Sequence, residues 1–208
     1  MAQLGVPVVF HFAGFGLIIV ALTIFSFSGF TQAPPRPSAH TGTPKFVRPS
    51  AAIMVLVGLT LSAMLAEGSA IDWSVIYMRD IFATVPLING LALALTAFFQ
   101  FITRYFADHF VVQYGPHKVA KSCLWIMLAG IILVAVAPVW PLALIGFACL
   151  GAGSSVIFPL AMSAAAQLKD RPAAVNVAAL AQISFVVFLL APPLLGVVAE
   201  FIGIRYAF

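Results

Sequence analysis

The sequence is poor in charge. Only 8% of its 208 residues are charged and 63% are hydrophobic, whereas a soluble domain has about 25% charged residues. No soluble fold can hide so much apolar surface, so a soluble enzyme or binding domain is excluded. The net charge of +4 does not indicate nucleic-acid binding, because the basic residues lie in short segments between apolar runs, where they set orientation in a membrane.

The sequence also has few residues that could bind a metal or act as a nucleophile. Its two cysteines, Cys123 and Cys149, lie within apolar runs and have neither disulfide nor metal-site spacing. His40, His109 and His117 lack the i, i+4 pairing of a zinc site. A membrane enzyme would need such a group near a membrane face, so we predict no enzyme, no metal site and no cofactor.

What the sequence has is long apolar runs. Crossing the hydrocarbon core takes about 20 apolar residues, and only helices satisfy the backbone of a lipid-exposed segment when strand-like alternation is absent. We therefore predict an all-α membrane protein, a polytopic bundle of six transmembrane helices. The predicted spans are residues 5–30, 51–71, 85–106, 122–139, 141–167 and 173–202.

A proline-rich segment separates the first two spans. It contains four prolines and small polar residues, which is typical of a flexible linker. Eight of the ten Lys and Arg residues fall in alternate loops on one side of the predicted membrane, which places this linker in the cytoplasm and both chain ends outside. Six spans in this arrangement suggest a chain cut from a larger protein. The predicted parts are a first span (1–30), the linker (31–48) and a five-span region (49–208).

One acidic residue interrupts the second apolar run. An acid at that depth is costly and is a functional candidate by default, which makes Glu67 the first residue of interest. Asp72 and Trp73 follow, then Tyr77 and Arg79, a composition typical of the membrane interface. The sequence thus predicts a buried acid followed by an interfacial loop. In the alternative interpretation, Glu67 only snorkels to an interface about 8 Å away.

Polar side chains form a stripe along the third span. Asn89, Thr96, Gln100 and Thr103 recur at i, i+7, i+11 and i+14, which places them on one face of a helix. Such a stripe either lines a wet cavity or bonds neighbouring helices. The sequence leaves both alternatives open.

The last two spans are rich in glycine and proline. Gly146, Gly151, Gly153 and Pro159 lie in the fifth span, and two further prolines lie in the sixth. Such residues permit close helix approach and local bending.

The third loop carries a recognisable motif. It reads TRYFADHFVVQYGPHKVAK and resembles the loop between the second and third helices of major facilitator superfamily transporters, with its weaker copy between the eighth and ninth. That motif combines an acid at the end of one helix, a tight glycine turn and basic residues opening the next helix. Asp108, Gly115, His117 and Lys118 occupy those places.

Three further stretches carry the resemblance. EGSAIDWSVIYMRD is similar to the end of the seventh helix in a bacterial, fucose-permease-like branch of the superfamily, and GFACLGAGSSVIFPLAMSAAA is similar to its tenth helix. APPLLGVVAEFIGIRYAF is similar to the eleventh helix and the approach to the twelfth. The motif departs from the family at Arg104, where glycine is usual, and at His109, where Arg or Lys is usual. The resemblance implies a partial major facilitator fold, helices six to eleven of a twelve-helix parent.

The resemblance also implies a function. This is secondary active transport of a small polar solute across the bacterial inner membrane, coupled to protons, as part of a larger multi-pass parent protein. Glu67 would carry the proton, because acids within membrane spans mark proton and solute pathways. The expected partners are the lipid bilayer, the solute, protons and the missing N-terminal half in trans, with no nucleic acid. The alternative is a truncated membrane fragment or subunit that does not transport.

The implied site residues fall into three groups. They are a solute and proton pathway (Glu67, Asn89, Thr96, Gln100), a cytoplasmic gate loop (Asp108, Gly115, Lys118) and an external interface (Asp72, Trp73).

Overall fold

The computed structural model describes residues 8–30 and 48–207. Within those ranges the regular structure is helical and no strand occurs, which confirms the all-α prediction. The chain divides into two units, Met1–Pro44 with the first helix and Lys45–Phe208 with the others. Apart from Arg48, the predicted linker 31–48 lies outside the described residues. The helices are α1 (Val8–Phe30), α2 (Ala51–Phe82), α3 (Pro86–Tyr114), α4 (Pro116–Val136), α5 (Trp140–Ser154), α6 (Ile157–Gln167) and α7 (Ala173–Ile202), followed by a short 3-10 turn (Ile204–Tyr206).

The described helices are built for a membrane. Five are long and apolar enough to cross a bilayer, when α5 and α6 are taken together as one span, Trp140–Gln167. A shorter apolar stretch, Phe12–Phe27, lies in α1. The chain is therefore a multi-pass membrane protein.

Helix α2 is longer than predicted. It begins after Ser50, whose Oγ accepts a hydrogen bond from the Ile53 N–H, and it runs to Phe82. The interfacial loop predicted for residues 72–80 is wrong, because no glycine or proline occurs between Gly68 and Pro86 to end the helix. Charged residues at this end of α2 are compatible with a helix that continues into the polar headgroup region.

The turn between α3 and α4 is a single glycine. Gly115 has a φ of +84°, which glycine adopts without steric cost, and Pro116 follows at the first position of α4, where proline is favoured. The predicted glycine turn is confirmed, but the predicted bounds around it are wrong. Helix α3 continues to Tyr114 instead of ending at 106, and α4 covers Pro116–Val136 instead of 122–139. At this turn the predicted spans stop just short of Asp108 and Lys121, whereas the helices continue through both residues.

The fifth predicted span is broken into two helices. Helix α5 ends at Ser154 and α6 begins at Ile157. Pro159 has no N–H to bond the carbonyl four residues earlier, which is that of Ser155. Arg104 of α3 donates to this same carbonyl from Nε (3.2 Å) and Nη2 (2.7 Å). The guanidinium thus satisfies the oxygen that the proline leaves without a backbone donor.

Close helix contacts surround α5. A Cβ added at Gly151 would lie 2.1 Å from the Thr96 carbonyl oxygen of α3, and one added at Gly153 would lie 2.5 Å from the Met127 nitrogen of α4. The backbones of α3 and α4 therefore approach α5 where it has no side chain, as the glycine content of this span predicts. These contacts make α5 the centre of the larger unit.

The far end of α2 is also packed into the bundle. Tyr77, which the sequence places in an interfacial cluster, is fully buried, and its hydroxyl donates to the Val134 carbonyl of α4. Its ring meets that of Phe147 edge-on, with centroids 5.6 Å apart. Nearby, Arg205 donates to the Ala137 carbonyl at 2.9 Å. Tyr77 is a core residue because α2 continues alongside α4 and α5.

Candidate functional site

Glu67 lies midway along α2. It is about 23 Å from either end of that helix at 1.5 Å rise per residue. The snorkelling alternative assumed an interface about 8 Å away at residue 72, and that position is part of the helix. The Glu67 side chain is half-buried and has no hydrogen-bond or ion-pair partner among the described residues. The structure therefore places this carboxyl group at mid-span, where ionisable residues are functional candidates.

Glu67 belongs to a polar stripe that the sequence reasoning missed. Thr60, Glu67 and Ser74 recur every seven residues, so they share one face of α2. Thr60 Oγ1 shares a hydrogen bond with Ser184 Oγ of α7 at 2.9 Å, and both residues are fully buried. Ser74 is also fully buried, and its hydroxyl has no partner among the described residues. The seven-residue spacing was the available signal.

The first half of the α3 stripe makes bonds within the bundle. Asn89 is buried, and its Oδ1 accepts a hydrogen bond from the Thr84 hydroxyl in the turn after α2. Thr96 is buried and donates to the Ala92 carbonyl at 2.8 Å, with the Phe147 carbonyl of α5 3.3 Å away. These two residues therefore hold helices and turns together.

The second half of the α3 stripe has unused polar groups. Gln100 is half-buried, and its amide nitrogen is fully enclosed without a partner among the described residues. Thr103 lines a groove between α3 and α4. The stripe therefore does not line one continuous cavity. Within it, the Gln100 amide nitrogen is a donor without a partner among the described residues.

The motif residues of the third loop lie at one face of the bundle. Asp108 of α3 and Lys118 of α4 are exposed on either side of Gly115. Among the described residues, neither forms an ion pair. The structure brings these charges to the same end of the bundle without pairing them.

The two residues predicted at the external interface differ in environment. Asp72 is exposed on α2. Trp73 is half-buried, and its ring lies 3.4 Å from the position of a Cβ on Gly196 of α7. Trp73 therefore packs against α7, whereas the Asp72 side chain lies on the surface of the bundle.

A polar clasp, which the sequence did not indicate, joins the α6–α7 loop to the start of α2. Arg171 Nη1 donates to the Arg48 carbonyl at 2.6 Å. Asp170 Oδ1 accepts from the amide of Asn176, a fully buried residue, at 2.8 Å. Hydrogen bonds from Asn176 and Ser50 hold the pKa of Asp170 below its ordinary value. The clasp holds the α6–α7 loop against the start of α2, on the same face of the bundle as Lys118.

The lowered pKa gives the clasp a defined pH dependence. The stabilising contribution of the Asp170 carboxylate is fully present above its ordinary pKa of about 3.9 and is lost as the pH falls through the lower folded-state value. We expect Asp170→Asn to unfold at a lower temperature than wild type. The difference in unfolding temperature should be constant from pH 5 to pH 7 and should disappear below about pH 4. Thermal unfolding in detergent measures it. A margin that changes between pH 5 and pH 7 would contradict this assignment.

No metal centre is evident in the parts of the chain that the structure covers. Within residues 8–30 and 48–207, no three His, Cys, Asp or Glu side chains are grouped closely enough to hold an ion. His40 lies outside the described residues.

Two curated relatives resemble this chain. It is 28% identical over 169 residues to an uncharacterized transporter of Sinorhizobium fredii and 30% identical over 169 residues to an uncharacterized MFS-type transporter of Yersinia pestis. Each alignment covers 81% of this chain but only 45% and 44% of the relatives, so the chain spans less than half the length of either. No protein-family model and no solved structure matches it. The chain is thus a multi-pass membrane protein similar in sequence to two transporters, one of them of the major facilitator (MFS) type.

Proposed function

We propose that this chain is part of a major facilitator superfamily transporter, of the fucose-permease-like branch, that moves a small polar solute across the bacterial inner membrane with protons. The similarity to two transporters over 81% of the chain carries the proposal. Glu67 at the middle of α2, whose carboxyl group has no partner among the described residues, supports it, because ionisable residues at that depth mark ion and solute pathways.

In this proposal the chain corresponds to helices six to eleven of a twelve-helix parent. Helix α1 is the sixth, and the five spans from α2 to α7 are the seventh to the eleventh. The alignments cover less than half the length of each relative, which supports a longer parent, while the register itself rests on the motif resemblance. The face that carries Arg48, Lys118, Lys169 and Arg171 is cytoplasmic, because basic residues accumulate on that side.

The pathway follows the polar residues of α2 and α3. Glu67 carries the proton, and Gln100 belongs to the same pathway with an amide nitrogen that is enclosed and has no partner among the described residues. Asn89 and Thr96 shape the pathway wall, Asn89 through its bond with the Thr84 hydroxyl and Thr96 through its bond to the Phe147 carbonyl. Secondary transporters rock two halves around a midplane site, so a facing half in trans would complete the enclosure.

The ends of the bundle have separate roles in this proposal. Asp108 and Lys118, flanking Gly115, form a cytoplasmic gate loop, and neither charge forms an ion pair among the described residues. Asp72 and Trp73 mark the external side, with Trp73 fixing α2 against α7.

The test measures solute-driven proton movement. The chain is reconstituted into liposomes that contain a pH-sensitive dye, alone and together with a separately expressed N-terminal half of the Yersinia pestis relative. A panel of sugars, amino acids and carboxylates is then added outside. We expect at least one solute to move protons only when both halves are present, because the site lies between halves.

Two results would overturn parts of the proposal. Solute-driven proton movement by the chain alone would show that it is self-sufficient. A stable, correctly inserted pair that moves no proton with any solute would favour the alternative of a non-transporting membrane fragment or subunit.

A further inference from the structure

The structure contains a groove that the proposed transport pathway does not use. It lies between α3 and α4 near Gly115 and has a volume of about 650 Å³, within the ~300–1,000 Å³ range of ligand pockets. The walls are Ile102, Phe106 and Phe110 of α3 facing Val119, Cys123 and Ile126 of α4, with Val156 at the base. We propose that this groove binds one acyl chain of an anionic phospholipid, with its phosphate at Lys118.

The apolar walls favour a hydrocarbon occupant. Phe106, Phe110 and Ile126 are each more than two-fifths exposed on the surface of the unit. In a membrane protein, surface at the depth of the spans faces lipid tails. Walls of branched and aromatic side chains fit an acyl chain better than a polar solute.

The hydroxyls of Thr103 and Ser122 also line the groove, but its one charged group lies at the mouth. Lys118 and Tyr114 lie on either side of the Gly115 turn, and both line the groove. The Lys118 ammonium is exposed and forms no ion pair or hydrogen bond with any described residue. A free cation with a neighbouring hydroxyl is complementary to a lipid phosphate, since basic pockets between transmembrane helices bind anionic headgroups.

The depth of the groove matches one leaflet. From Lys118 to Ile126 the groove follows eight residues of α4, or about 12 Å at 1.5 Å per residue. Half of the hydrocarbon core is about 15 Å thick. A lipid with its phosphate at Lys118 therefore has the part of one acyl chain nearest the headgroup between α3 and α4.

The experiment is native mass spectrometry of the whole 208-residue chain in detergent, titrated with phosphatidylglycerol or phosphatidylcholine of identical acyl chains. We expect tighter binding of phosphatidylglycerol, and Lys118→Ala to weaken that binding about fivefold, which is the contribution of one cation near a lipid phosphate. Lys118→Arg retains binding. The matched control is Lys169→Ala, which removes an exposed cation on the same face that does not line the groove.

A second variant tests the groove itself. Ala107→Trp places a large side chain between the walls and is expected to weaken both lipids at least threefold, with thermal unfolding confirming that the variant is folded. Unchanged phosphatidylglycerol binding in Lys118→Ala, or an equal loss in Lys169→Ala, would overturn the proposal by reducing the effect to general surface charge. Dimers that Ala107→Trp abolishes would also overturn it, because a second copy would then occupy the groove.

Discussion

Replacing Gly151 with alanine is expected to destabilise the larger unit more than any other single-methyl change. The new Cβ would lie 2.1 Å from the Thr96 carbonyl oxygen and 2.8 Å from its carbonyl carbon. These are backbone atoms, which cannot rotate away as the end of a side chain can, so α3 and α5 must separate. Overpacking of this kind costs roughly 1–3 kcal/mol, and more where backbone has to move. The measurement is the thermal unfolding temperature in detergent, together with the monodisperse fraction on gel filtration.

Gly90→Ala is the matched control. Gly90 lies in α3, the helix that Gly151 contacts, and no atom lies within 4 Å of its added Cβ. Alanine is favoured over glycine in a helix by about 1 kcal/mol, so the control should be as stable as wild type or slightly more stable. Equal behaviour of the two variants would contradict the close α3–α5 contact.

The second large effect is expected at Glu67, and it rests on the proposed function. Glu67→Gln keeps the size of the side chain and removes its ability to release a proton. In the two-half liposome assay we expect the solute-driven dye response to fall to background while solute counterflow is retained, because only the proton cycle is lost.

Glu200→Gln is the control for this experiment. Glu200 is the only other glutamate in the chain, and it is exposed near the end of α7. Its replacement should leave both signals unchanged. An intact proton response in Glu67→Gln would exclude Glu67 as the proton carrier, while loss of counterflow as well would show that it holds the solute.

The break between α5 and α6 shows where the sequence was informative and where it was not. Pro159 and the neighbouring glycines predict local bending, and a proline always removes the hydrogen bond to the carbonyl four residues before it. That Arg104 supplies the replacement donors could not be read from the chain. Arg104 and Ser155, whose carbonyl it binds, are separated by 51 positions, and the contact depends on how α3 crosses α5.

For the residues of the candidate site, too, the sequence predicted some features and not others. The depth of Glu67 depends on where α2 ends, and apolar runs locate contact with lipid but not the point where a helix stops. Asn89 and Thr96 share a face with Gln100. The first two form hydrogen bonds with nearby groups, whereas the Gln100 amide nitrogen has no partner among the described residues. Periodicity defines the face of a helix, and only the neighbouring helices decide which part of that face is filled.

The sequence by itself determined the membrane class, the helical fold, the Gly115 turn and the bounds of α7, which lies at Ala173–Ile202 as predicted. These features follow from local chemistry: apolar length, a glycine that accepts positive φ, and Pro172 and Gly203 flanking the last helix. The tertiary structure alone decided that Tyr77 is buried, that α5 is the centre of the bundle, and that a groove opens beside Lys118. Those features depend on the distances between helices, which are set by packing among residues far apart in the chain.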